Sequence, residues 1–97
     1  MNLRVLMTNG INYLMEMGEI KDNDLLSILF KFNSNDWGIL CSEDKEFQNE
    51  LLKNSNSKYN DRFMGVYIIN EHRIWIMREY DYSIKSFLIT ILLPEEY

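Results

Sequence analysis

One cysteine, one proline, one histidine and four glycines are all that this 97-residue chain holds of those types. A lone cysteine, Cys41, excludes an internal disulfide framework and any zinc site built from several cysteines. The glycines are scattered, so no glycine-rich loop is present to cradle a phosphate. No apolar run approaches the roughly 18 residues needed to cross a bilayer. The N-terminal stretch has Arg4 but no apolar segment with a small-residue cleavage site, so the expectation is a cytoplasmic chain with no leader and no membrane attachment. Basic residues are in deficit, ten against fifteen acids, for a formal net charge of −5. Duplex DNA repels such a surface unless a local basic patch overrides the net sign. The balance favours a basic protein partner, or simply solubility.

What the chain does have is apolar surface, 46% of residues, with 13% aromatic. That is enough to build the core of a single domain spanning residues 1–97. The last third is richest: Phe63–Asn70, Arg73–Glu79 and Ser86–Leu93 are dense in Ile, Tyr, Phe and Trp, types that suit a pleated, packed surface. Polar breaks at Asn70-Glu71-His72 and Tyr80-Asp81-Tyr82-Ser83 fold these strands back on one another as a meander. Both faces of each strand carry apolar residues, which a one-sided sheet does not need. Helices cover one face; a helix, a dimer partner or a target must cover the other. If that face is bare, a homodimer through Trp75 and Met77 would cover it.

Upstream, Asn2–Thr8 reads as a further strand. Thr8 or Asn9 then caps a short helix with Ile11, Leu14 and Met15 at helical spacing, and Gly18 supplies the left-handed stop. Asp22 or Asn23 caps a second helix, in which Leu25, Leu26, Ile28, Leu29, Phe30 and Phe32 cover over half the circumference; so wide an arc predicts burial on more than one side. Ser42-Glu43-Asp44 opens a third helix. Phe47 and Leu51 align inward there with Leu52 beside them, while Glu43, Asp44, Glu46 and Glu50 look outward. Lys53-Asn54-Ser55-Asn56-Ser57-Lys58 is a polar loop leading to the sheet. The class is α+β: three short N-terminal helices packed on a C-terminal three-stranded antiparallel meander, with the extra N-terminal strand.

Few residues offer chemistry. His72 lies in a turn beside Glu71 without a positioned partner for proton transfer. Cys41 precedes a helix start but has no base near it in sequence, and reads as a packed cysteine. Asp36 with Glu43-Asp44-Lys45 copies the Asp…Glu-x-Lys order of metal-dependent nucleases. Those enzymes need the groups on adjoining strands around a metal ion, whereas Glu43 to Lys45 falls on a helix start. No catalytic residue, metal ligand or cofactor is therefore assigned. Arg62, Arg73, Arg78 and Lys85, with Trp75 and Tyr80 interleaved, form a combination able to stack bases and hold phosphates, diluted by Glu71, Glu79 and Asp81.

Three pieces in order, Asn35-Asp36-Trp37-Gly38, then Glu43-Asp44-Lys45 with Asn49 and Leu51, then Arg73-Ile74-Trp75-Ile76 with Ile91-Leu92-Leu93-Pro94-Glu95-Glu96-Tyr97, carry a resemblance over most of the chain. The pattern resembles a family of small plasmid-, transposon- and phage-borne bacterial proteins often labelled type I restriction endonuclease subunit M. The link Arg78-Glu79-Tyr80-Asp81-Tyr82 departs from the shorter turn of that pattern. The label does not describe an activity for this chain. An adenine methyltransferase needs a doubly wound donor-binding fold and an Asn/Asp-Pro-Pro-aromatic loop, and the only proline is Pro94. The resemblance implies instead a mobile-element accessory protein. It leads to a non-enzymatic anti-defence protein that binds a host effector, a CRISPR nuclease or a restriction enzyme, through Asp36, Glu43, Asp44, Glu46 and Glu50, with Trp75 or Tyr80 as aromatic anchors. The alternative is a nucleic-acid-binding accessory protein of a plasmid or phage.

Overall fold

The computed structural model describes residues 3–53 and 62–97; Asn2 and positions 54–58 of the polar loop lie outside the described residues. The chain runs β1 (Leu3–Met7), α1 (Asn9–Glu16), α2 (Asp22–Asn33), α3 (Ser42–Leu52), β2 (Phe63–Ile69), β3 (His72–Asp81) and β4 (Ser86–Leu92), then a single 3-10 turn at Pro94–Glu96. The α+β class holds, but the sheet is four-stranded and mixed, ordered β1-β4-β3-β2, and not a three-stranded meander. The strands β2, β3 and β4 are antiparallel neighbours as expected, and β1 adds to β4 in parallel with Val5 opposite Ile89. Parallel pairing of β1 with β4 needs a long crossover connection: the three helices carry the chain from β1 to β2 at the opposite edge, and the antiparallel strands β2 and β3 return it to β4. Among the described residues no helix is long and apolar enough to cross a membrane.

Period-two alternation turns Phe63, Tyr67, Ile69, Ile74, Ile76, Ile89 and Ile91 to one face, where they are buried against Ile11, Leu14, Ile20, Leu25, Ile28 and Phe32 from the helical layer. In α2, Leu25, Ile28 and Phe32 lie one and two turns apart and face the sheet. Leu26 and Phe30 are 63% and 74% exposed, so α2 is not buried on several sides. A two-layer fold offers a helix only one apolar wall, and residues on its flank stay wet. The other sheet face carries no α-helix among the described residues; Val66 and Leu92 are nevertheless buried on it, while Met64, Trp75, Met77 and Leu88 are half-buried. Part of its cover is the chain end: Tyr97 meets Trp75 edge-on, ring centroids 5.6 Å apart.

The tail also closes the other end of the crossover. Thr8 takes the N-cap position of α1, but its own hydroxyl does not cap the helix. The Glu96 carboxylate does so from across the fold, accepting from the Gly10 amide (3.0 Å), the Thr8 hydroxyl (2.5 Å) and the Leu93 amide (3.0 Å). These bonds, Thr8 foremost, hold the Glu96 carboxyl below its ordinary value. At α2 the N-cap is Lys21, not Asp22 or Asn23, and Asp24 accepts the Lys21 amide at 3.0 Å. Gly18 does supply the left-handed stop after α1, at φ 78°.

The sequence Asn35-Asp36-Trp37-Gly38 turns out to be structural. Trp37 is 2% exposed, stacked on Phe63 (5.9 Å) and edge-on to Phe32 (5.3 Å), and its indole N–H donates to Asn49 Oδ1 at 3.1 Å. Next to it the backbone forms a parallel bridge to the outer edge of β2. The Val66 amide donates to the Trp37 carbonyl (3.0 Å), and the Ile39 amide donates to the Val66 carbonyl (2.8 Å). Gly38 is required there: its φ is +73°, and a Cβ would stand 1.9 Å from the Val66 carbonyl oxygen. Two residues earlier along the strand, Gln48 of α3 takes over the same task. Its amide accepts from the Met64 N–H (2.7 Å) and donates to the Met64 carbonyl (3.0 Å), imitating a neighbouring strand with one side chain.

Candidate protein-interaction surface

Because Gln48 is the fully buried residue of α3, the helix is rotated relative to a reading that puts Phe47 inward. Phe47 is 63% exposed, while Leu51 and Leu52 are half-buried. A buried amide with two strong backbone partners outweighs a ring that can lie half in water. The N-cap is Cys41, not Ser42; it is exposed, not packed, and its thiol donates to Asp44 Oδ2 at 3.1 Å. Glu43 and Asp44 in the first turn lie at the positive end of the helix dipole.

The outward stripe of α3 is therefore Glu43, Glu46, Phe47 and Glu50, at i, i+3, i+4 and i+7, all exposed. Glu50 is paired with Lys53 at 3.0 Å on the helix surface, an exposed contact of small worth. Glu43 and Glu46 have no ionic or hydrogen-bonding partner among the described residues. The result is a row of carboxylates with one aromatic ring at its centre, on a helix pinned to β2 by Gln48 and to Trp37 by Asn49. Phe47 was the missed member, and its spacing from Glu43 and Glu50 was the signal that placed it among them.

The remaining expected site residues fall elsewhere. Asp36 is exposed in the turn before Trp37; its carboxylate accepts the Gly38 amide at 3.0 Å and its carbonyl accepts the Tyr67 hydroxyl at 2.6 Å. Burial, then the Asp36 charge, pushes the Tyr67 phenol above its ordinary value. Trp75 stands half-buried on the helix-free sheet face. Tyr80 points to the opposite face by strand parity, packed edge-on against Phe87 (5.1 Å) and Tyr82 (4.8 Å). The two aromatic anchors thus do not share a surface.

The basic residues are divided in the same way. Arg73 is on the helix-free face, whereas Arg78 lies on the helical side over the Phe63 ring (4.8 Å) and near Phe87 (5.5 Å). Desolvation there holds the Arg78 guanidinium below its usual value. Arg62 is bound to Glu79 at 2.9 Å. His72 begins β3 rather than sitting in the turn, half-buried and 3.8 Å from Glu19. It borders a shallow hollow of about 650 Å³ between α1, the 3-10 turn and the β2–β3 turn, with Tyr13, Arg73 and Glu95 on its rim.

No family model, no curated protein and no solved structure matches this chain.

Proposed function

We propose that this is a non-enzymatic anti-defence protein of a mobile element, acting in the cytoplasm of a host bacterial cell. It inhibits a nuclease system, CRISPR or restriction, by binding the effector directly. The supporting observation is the α3 stripe: Glu43, Glu46 and Glu50 around an exposed Phe47, with Asp44 beside Glu43 in the first turn. A nuclease must line its nucleic-acid channel with positive charge and flat stacking surfaces. Carboxylates one helical turn apart take the place of phosphates in such a channel, and Phe47 takes the place of a stacked base. Opposite charge raises the encounter rate, and the desolvated ring supplies most of the residence time. Since Trp75 and Tyr80 face opposite ways, at most one of them joins that contact.

The mobile-element setting rests on the sequence resemblance. The nucleic-acid alternative draws less support, because Arg62, Arg73 and Arg78 do not form one surface. A gel shift at two salt concentrations separates the readings, since phosphate binding weakens steeply with salt.

Protection of phage or plasmid in cells, with pulldown against the host's CRISPR and restriction effectors, tests the proposal. Wild type should protect and capture one effector. The triple variant E43K/E46K/E50K should fold and lose both. Phe47→Ala should weaken capture by about 30-fold or more, the loss of a hot-spot aromatic. No protection and no captured effector across the host's own systems would overturn it.

A further inference from the structure

The sheet has a second edge, and it is finished quite differently. The Thr8 amide donates to the Ile91 carbonyl at 3.1 Å, so alternation along β1 turns the peptide groups of Leu3, Val5 and Met7 away from β4. The edge carries none of the usual guards: no proline, no bulge and a single charge, Arg4. Val5, Leu6 and Met7 are 44%, 51% and 42% exposed. Beside them α2 lends its wet flank. A groove of about 410 Å³ runs between β1 and α2, lined by Val5, Met7, Leu25, Leu26, Leu29 and Ile91; Phe30, one helical turn beyond Leu26, is also exposed.

We infer that β1 and the Leu26–Phe30 flank of α2 form the surface on which two copies of this chain pair, β1 against β1 in antiparallel sense, giving one continuous eight-stranded sheet. The occupant follows from symmetry and charge. Centred on Val5, the pairing sets Val5 opposite Val5, Leu3 opposite Met7 and Arg4 opposite Leu6 of the second copy. Every outward peptide group of the strand then exchanges hydrogen bonds with its twin, and no like charges meet. Centring on Arg4 would oppose two arginines. The edge and its flank hold one base, Arg4, and one acid, Asp22 at the groove's end, so this is a neutral apolar surface on a molecule of net charge −5. Copies of an acidic protein can meet there without repulsion. A five-residue strand edge is too small for a stable dimer, which buries on the order of 1,200–2,000 Å² in total. The exposed Leu26 and Phe30 of both copies supply the further apolar area.

Sedimentation velocity across a concentration series tests this, with two independent variants. Val5→Pro removes an amide that faces outward and so costs no bond to β4. Leu26→Glu with Phe30→Glu changes only exposed side chains and leaves the strand intact. Wild type should sediment as a dimer that dissociates on dilution. Each variant should raise the dissociation constant at least about tenfold while far-UV dichroism stays native. A wild-type monomer at every concentration overturns the inference. So does a dimer that both variants leave unchanged, or one that Trp75→Ala abolishes, which would put the interface on the helix-free face.

Discussion

At the β2 edge each outward peptide group of Met64 and Val66 has a partner inside the molecule; at the β1 edge those of Val5 and Met7 have none among the described residues. Both are edges of one sheet with similar apolar composition, so the contrast lies in what the rest of the chain does for them. From Met64 to Val66 the β2 edge is closed by a backbone bridge through Gly38 and by the Gln48 amide. The β1 edge receives only the flank of α2. Unpaired edges template further pairing, and proteins that leave one open do so at some hazard. The internal seal ties β2 into the domain, and the open β1 edge is the surface inferred above for pairing.

The contrast can be broken first at Trp37. Trp37→Ala removes a buried ring, its bond to Asn49 and the packing that holds the bridge, for a loss of about 3–5 kcal/mol in urea unfolding. That is a large part of the stability of a small domain. Gly38→Ala acts on the same bridge by backbone collision and should likewise move the midpoint well down, whereas Gly18→Ala, with open space around its Cβ, should cost only the strain of its left-handed backbone.

Next in size is Gln48→Leu, which fills the same volume but strands the Met64 N–H and C=O. The expected loss is about 1–3 kcal/mol, with aggregation rising because a second open edge has been made. Urea midpoints and light scattering read the two effects.

Smaller again is Glu96→Gln, where a charged cap for α1 becomes a neutral one, at about 0.5–1 kcal/mol near neutral pH. The carboxyl of Glu96 sits lower in the folded chain than in the unfolded one, so its contribution is complete above the ordinary carboxylate range. It is lost as pH falls through the folded value. The difference between wild type and variant should therefore shrink to nothing in acid. The smallest effect is expected for Leu26→Glu in the isolated monomer, within about 0.5 kcal/mol, because the side chain is already in water.

Much of this was legible in the residues. The strand-rich tail, the three helices and the outward acids of α3 follow from alternation, helical spacing and charge. The parallel partnership of β1 with β4 was not, because periodicity states which face a strand buries and never which strand lies beside it. The inward side of α3 was misjudged for a related reason. Burial of Gln48 depends on the Met64 peptide being in reach, a tertiary fact that outranks the apolar character of Phe47. Likewise the wide apolar arc of α2 promised burial on several sides, but a two-layer fold had only one wall to offer Leu26 and Phe30. As for the recognisable pieces, Trp37-Gly38, Glu96 and Tyr97 hold the domain together, whereas the surfaces proposed for partners lie on the α3 stripe and the β1 edge.

Amide hydrogen exchange at low and high protein concentration tests the central contrast most directly. The Met64 and Val66 amides should be protected at both concentrations, while those of Val5 and Met7 should exchange rapidly in dilute protein and become protected as the concentration rises. Fast exchange at Met64 and Val66, or no gain of protection at Val5 and Met7, would contradict it.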